Sequence, residues 1–257
     1  MKTFALCSGS SGNCFYVEND FGEKILVDFG ISFRKAKMIL KENNINIEDI
    51  NAIFITHEHT DHTLGVKTLI NKINCEVFAT KGTGEYLKLK NFKIVKKNKK
   101  FYYKNFSIIA LEKPHDAIEP VSYIFESNNK RLGIFTDLGY ITPLVKDVIK
   151  TLDIIYFESN YCNNMLNKKA SYSYIQRCLS DYGHLSTEES LKFLSENLNE
   201  DQIVILAHIS ENNNSYENVN FMFEELLKTK NKKIEYYISY QREPTQIIDK
   251  FFGLDKN

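Results

Sequence analysis

Tryptophan is absent from this 257-residue chain, while proline occurs four times and glycine eleven times. That scarcity excludes collagen-like and low-complexity classes, and no Pro/Gly/Ser-rich stretch separates one domain from another. Net charge is missing too, because 33 basic side chains cancel 33 acidic ones. No global field draws in a polyanion, so any hold on nucleic acid has to come from local placement of charge. No apolar run approaches the ~18 residues of a membrane span. The stretch MKTFALCSGSSGNC turns polar too early for a signal peptide. Cysteine is sparse, odd in number and without a C-x-x-C pair (Cys7, Cys14, Cys75, Cys162, Cys178). Reduced thiols buried as fillers in a cytoplasmic protein are expected, not a disulfide framework or a nucleophile.

Short β-rich runs occur at 14–19, 24–30, 52–56, 106–111, 120–125, 131–137, 153–157, 202–208 and 233–239. Helical periodicity marks 33–43, 63–73, 187–198 and 215–229. With no internal repeat, this predicts one α+β domain over residues 1–257. Apolar strands repeatedly end on residues that bind metals or move protons. AIFIT runs into His57, SIIALEKP into His115, RLGIFT into Asp137, DIIYF into Glu158 and QIVILA into His208. Strand ends on a rigid sheet are where loops carry chemistry.

Histidine numbers six, and three of them fall within THEHTDHTLG (56–65). In extended chain His57 and His59 point the same way and can grip one ion. A helix starting near Thr60 would turn Asp61 and His62 toward a second ion beside it, and paired ions make a clamp that activates water. The bland alternative, a solvated loop with chance histidines, does not account for ligand types clustering just after an apolar strand. HEHTD is not the zinc-protease H-E-x-x-H, since Asp61 holds the fifth position, and GSSG (9–12) and GTG (82–84) are too short for phosphate loops and read as tight turns. His184 stands just before a helix whose Ser186 and Glu189 form an S-x-x-E capping box.

H-x-H-x-D-H at His57, His59, Asp61 and His62 resembles the signature of the metallo-β-lactamase superfamily, with His115 in PHDA, Asp137 in FTDLG and His208 in LAHIS following in order. The likeness runs from CSGSSGNC to HISENNN. Together with GHLS at His184 it is similar to the YycJ (WalJ) branch, regarded as DNA exonucleases. The resemblance implies a four-layer αββα sandwich with two divalent transition-metal ions (Zn, Mn or Fe) at one edge. It gives one metal to His57, His59 and His115, the second to Asp61, His62 and His208, and makes Asp137 the bridge. His184 matches a histidine thought to protonate the leaving oxygen, and Glu158 a glutamate that orients it. Asn160, Tyr161 and Cys162 stand where this branch carries an Asn-His-Asp run, which leaves substrate contact there in doubt. Asp28 is either a support for a ligand or an ordinary strand-end aspartate.

Two-metal sites cleave phosphodiesters, thioesters and lactams alike. His184 favours phosphodiesters, since expelling an alkoxide from phosphorus benefits from a positioned acid. Between Lys81 and Lys104 nine lysines face the single Glu85, with Phe92, Phe101, Tyr102 and Tyr103 interleaved. That is either a strip for phosphates and bases or a solvated hairpin. Residues 138–183 leave no room for an inserted substrate-gripping domain. The expectation is a 5′-to-3′ DNA exonuclease using a metal-bridging hydroxide oriented by Asp61, with DNA preferred over RNA as partner. The alternatives are a thioester hydrolase of the glyoxalase II type and a non-catalytic nucleic-acid-binding module.

Overall fold

The computed structural model describes residues 1–166 and 172–250. Its strands are β1 (Lys2–Cys7), β2 (Cys14–Glu18), β3 (Lys24–Val27), β4 (Ala52–Phe54), β5 (Glu76–Ala79), β6 (Lys93–Ile94), β7 (Lys100–Tyr103), β8 (Phe106–Glu112), β9 (Val121–Ser127), β10 (Lys130–Phe135), β11 (Ile154–Glu158), β12 (Ile203–Ala207), β13 (Glu235–Ile238) and β14 (Ile248–Asp249). Its helices are α1 (Phe33–Glu42), α2 (Thr60–Thr63), α3 (Val66–Lys72), α4 (Lys81–Tyr86), α5 (Pro143–Ile149), α6 (Tyr172–Cys178), α7 (Thr187–Asn197) and α8 (Tyr216–Thr229).

One sheet runs β14-β1-β2-β3-β4-β5-β6 and the other β13-β12-β11-β10-β9-β8-β7. Central strands such as β4, β11 and β12 read as near-continuous apolar runs because both faces are covered. The inner faces meet in a core holding Phe15, Val27 and Phe54 from the first sheet and Phe106, Phe125, Ile134 and Ile205 from the second. Phe54 packs edge-on to Phe125 at a ring separation of 5.3 Å. Outside the first sheet, Ala36, Ile39 and Leu40 of α1 and Leu69 of α3 cover Leu26 and Ile53. Outside the second, Val145 of α5, Leu194 of α7 and Phe223 of α8 cover Phe135, Phe157 and Leu206. The layers are helix, sheet, sheet, helix: the αββα sandwich.

All nine expected strand runs are strands, and a helix does begin at Thr60. The helix expected over 63–73 is broken, because the Gly65 N–H donates to Phe29 O (2.9 Å) and not to the preceding helical turn. GSSG is a turn closed by Gly12 N–H to Gly9 O (3.0 Å). GTG is not a turn: it lies inside α4, with Gly84 against the Phe92 ring. Ser186 caps α7 as expected, its Oγ accepting from Glu189 N (3.2 Å), but the Glu189 carboxylate takes the Ser186 hydroxyl (2.9 Å). The capping carboxylate thus binds the cap side chain where a full capping box would bind its backbone.

Topology decides where the site can be. β3, β4 and β5 are parallel, as are β10, β11 and β12, and β8 runs with β10 across the antiparallel β9. The carboxyl ends of all these strands therefore open on one edge of the sandwich. Among the described residues no helix is long and apolar enough to cross a membrane.

Candidate metal centre

That edge gathers all six histidines with Asp61, Asp137 and Glu158. Among the described residues, three groups have ligand atoms within 4.8 Å of one another: His57, His59 and His115; Asp61, His62, Asp137 and His208; and Asp137, Glu158, His184 and His208. In the first, His59 Nδ1 lies 3.1 Å from His57 Nε2 and 3.2 Å from His115 Nε2. In the second, His62 Nε2 lies 3.4 Å from Asp61 Oδ2 and 3.1 Å from Asp137 Oδ2. Asp137 reaches both groups, its Oδ1 being 3.8 Å from His115 Nε2 and 3.5 Å from His208 Nε2.

The rings are aimed from behind. Five of the six histidines have Nδ1 against an oxygen: His57 on Thr56 Oγ1 (2.9 Å), His62 on Asp28 Oδ2 (2.7 Å), and His115 on Gly183 O (3.2 Å). His184 and His208 share Glu158 Oε1 at 2.9 and 2.8 Å. Such contacts fix tautomer and direction and leave Nε2 for the centre. Asp28 is thereby a support for His62, held in turn by Thr56 N and Thr56 Oγ1 at 2.8 Å. Glu158 supports His208 as well as His184, which sequence reasoning did not foresee. The backbone also bends for this centre. Asp28, Asp137 and His208 close their strands at φ of 57°, 56° and 56°, a left-handed conformation that costs a non-glycine residue of order 1–3 kcal/mol.

Electrostatics follow from burial. Burial pushes His57 and His115 well down, so these imidazoles are neutral and their lone pairs free. Burial works against charge at His208 too, but Asp137, Asp61 and Glu158 outweigh it and lift the ring to about 10. Burial would protonate Glu158, and His184 and His208 instead hold it down at about 2. Asp137 is held well below the usual carboxylate range, because His208, His62 and Lys113 outweigh its burial. A buried nest of carboxylates and imidazoles calls for cations. Asp137 Oδ2 and His208 Nε2 are buried without a hydrogen-bond partner, as atoms waiting for a metal would be. The all-N/O donor set fits divalent transition-metal ions.

Several contributors were not legible in the sequence. Asn13 donates from Nδ2 to Asp61 Oδ2 (3.3 Å) and lies 3.0 Å from His62 Nε2. Its Oδ1 accepts from Ser8 Oγ (3.1 Å), which itself accepts from the His208 N–H (3.0 Å). The serine-glycine turn thus couples the two halves of the centre. Lys113 is buried, donates to Thr136 O (2.8 Å) and stands 3.8 Å from Asp137 Oδ2. Its sequence signal was slight: a lysine just past the end of β8, in LEKPH. Asn160, Tyr161 and Cys162 are all buried. Asn160 Nδ2 donates to His208 O (2.8 Å), and Cys162 contacts Glu188. This run braces His208 and α7 from within and is not an outward-facing substrate contact. Cys7 and Cys14 are buried and pushed up by that burial, Cys7 to about 12, which suits fillers.

The lysine-rich strip divides. Phe92, Phe101 and Tyr103 pack into the cores, and of the four aromatics only Tyr102 is well exposed. Lys93, Lys97 and Lys100 pair with Glu76, Glu112 and Glu126.

Comparison with known proteins gives this edge its class. Residues 23–209 match the family model of the β-lactamase superfamily domain. The chain belongs to the metallo-β-lactamase superfamily of metal-dependent hydrolases. Within it the chain falls in the YycJ/WalJ branch. It is 34% identical to the exodeoxyribonuclease YycJ of Bacillus anthracis over 237 residues, 88% of each chain. It is 35% identical to the exodeoxyribonuclease WalJ of Streptococcus pneumoniae serotype 2, over 83% of each. The solved metallo-β-lactamase-fold protein YhfI of Bacillus subtilis superposes with a TM-score of 0.72 at 13% identity, covering 96% of this chain and 99% of that one. At that identity the likeness concerns the fold.

Proposed function

We propose that this protein is a dinuclear-metal-dependent exodeoxyribonuclease of the cytoplasm that shortens DNA from its 5′ end. The relatives' names support DNA as substrate. The observation that carries the phosphodiester reading is the shared carboxylate: Glu158 Oε1 holds Nδ1 of His208, a ligand, and Nδ1 of His184, which lies at the solvent side of the cluster. A histidine fixed in the same frame as the metals yet still reached by solvent is placed to give a proton to a departing oxygen. His57, His59 and His115 would hold one ion, Asp61, His62 and His208 the other, with Asp137 between them. When bound, two such ions supply an activated water and charge neutralisation at phosphorus. The chain's own part is to orient. Asn13 and Asp61 fix the open side of the second group, Asp28 and Glu158 set the imidazoles, and Glu158 on Nδ1 turns the Nε2 of His184 toward the departing oxygen.

The test is one assay in parallel: Mn²⁺-reconstituted protein on DNA labelled at either end, on RNA, and on a glutathione thioester. Progressive loss of the 5′ label from DNA, with the thioester far slower, is expected. Thioester hydrolysis exceeding DNA cleavage would replace this reading with the acyl-transfer one.

A further inference from the structure

The segment 177–184 packs flat against the metal edge, and glycines make the approach possible. A Cβ on Gly183 would meet Arg177 O at 2.2 Å, and one on Gly139 would meet Asp181 O at 1.9 Å. Asp116 N–H donates to Tyr182 O (3.1 Å) and ties the segment to the connection after β8, while His184 N–H closes the segment on its own Cys178 O (3.2 Å). His115 closes the contact on Gly183 O. Whatever rests on this segment is therefore positioned rigidly against a candidate ligand, His115, and the candidate acid, His184.

Its part-exposed Arg177 and exposed Tyr182 reach solvent here, and Tyr140 follows Gly139, whose backbone the segment touches. Arg177 directs Nε and Nη2 at the Asp116 carboxylate, the latter at 2.8 Å, and Asp116 Oδ1 lies 3.4 Å from His115 Nε2. The guanidinium is thus one carboxylate removed from the metal ligands, with two of its three nitrogens on Asp116 and its plane fixed by a forked pair. A part-exposed ion pair contributes little to stability, but it fixes the guanidinium plane and leaves Nη1, the nitrogen outside the fork on Asp116, for a single bond to a phosphate oxygen. Tyr182 is 60% exposed and Tyr140, next to Gly139, 47%. Aromatic rings left in water beside a basic group are the pairing that holds single-stranded nucleic acid, bases on rings and phosphate on the cation.

We propose that Arg177, Tyr182 and Tyr140 form the seat for the nucleotide adjoining the scissile phosphate, Arg177 binding the neighbouring phosphate and the tyrosines stacking bases. This deepens the nuclease reading and rests on it. The test measures binding of a fluorescent single-stranded oligonucleotide by anisotropy across a salt series, with metal content recorded for each variant. Arg177→Ala should weaken binding about 10-fold and lower the salt slope by about 0.7, the value for one neutralised phosphate on a single strand, with metal content at the parent's level. Arg177→Lys should restore the slope but not the full affinity. Tyr182→Ala, at an exposed position where folding is not at stake, should weaken an ordinary end about 10-fold and spare an oligonucleotide whose end is abasic. An unchanged salt slope in Arg177→Ala, or equal loss on ordinary and abasic ends in Tyr182→Ala, overturns the seat. Failure of the parent to cleave DNA while it hydrolyses the thioester would instead overturn the nuclease reading, so the two failures are distinct.

Discussion

The two sheets supply the same centre in opposite ways. The first delivers His57, His59, Asp61 and His62 from a single turn of chain after β4. The second delivers His115, Asp137, Glu158, His184 and His208 one at a time, from four connections and the end of β11. A turn can hold three histidines only if its backbone is fixed locally. That is what α2, starting at Thr60, and the Thr63 hydroxyl bonded to Glu58 O (3.1 Å) and His59 O (2.9 Å) accomplish. Residues drawn from such scattered places need a common reference, and Glu158 and Asp137 provide it. The first half can therefore tolerate small adjustments within one loop, whereas in the second the loss of a shared carboxylate misplaces several groups together.

The largest effect should come from Asp137→Ala. Elemental analysis should show reduced metal in both groups and activity lost beyond the ~10²–10⁴-fold that a proton donor supplies. Two ions retained at parental level would remove Asp137 from the bridge. His208→Ala should lose most of one ion only, and excess Mn²⁺ should recover part of the rate.

Next comes His184→Ala, expected to cost ~10²–10⁴-fold in rate while both ions and DNA affinity persist. Its rate should return on a nitrophenyl phosphodiester, whose leaving group needs no proton. If His184→Ala sheds a metal and His208→Ala does not, the roles of these neighbours are exchanged.

The supporting carboxylates sharpen the contrast between halves. Asp28→Asn and Glu158→Gln should each weaken metal binding by roughly 10–100-fold in a chelator competition. Only Glu158→Gln should also lower the rate at saturating metal, because it alone holds His184. Equal kinetic defects in both would mean that His184 does not depend on Glu158.

The smallest effect belongs to the lysine strip. Lys96 and Lys99 lie in the turn after β6, whose partner β5 leads to the metal edge, while Lys88 and Lys90 line the groove beside Asn74 and Cys75, at the start of β5. Replacing Lys96 and Lys99 with Gln should lower the salt slope of DNA binding by up to about 0.9 for each phosphate that they neutralise. The same change at Lys88 and Lys90 should leave it alone. Identical slopes for both pairs would return the whole strip to a solvated surface.

The sequence by itself determined nine of the fourteen described strands, the helix at Thr60, the capped helix at Ser186 and the ligand types at the strand ends. These are local matters: apolar periodicity, cap chemistry and residue identity all act within a few positions. It could not determine Asn13, Lys113 or Arg177 as parts of this edge, nor that Glu158 serves two histidines. Asn13 lies far along the chain from His62 yet within 3.0 Å of it, and His208 N–H meets Ser8 across 200 residues. Such pairings exist only once β1, β2 and β12 have been brought together by two sheets packing face to face. The neighbours that each buried ring meets then decide its charge, as the opposite shifts of His57 and His208 attest. Two histidines identical in sequence terms differ because one is surrounded by rings and the other by carboxylates, and only the tertiary structure chooses the neighbours.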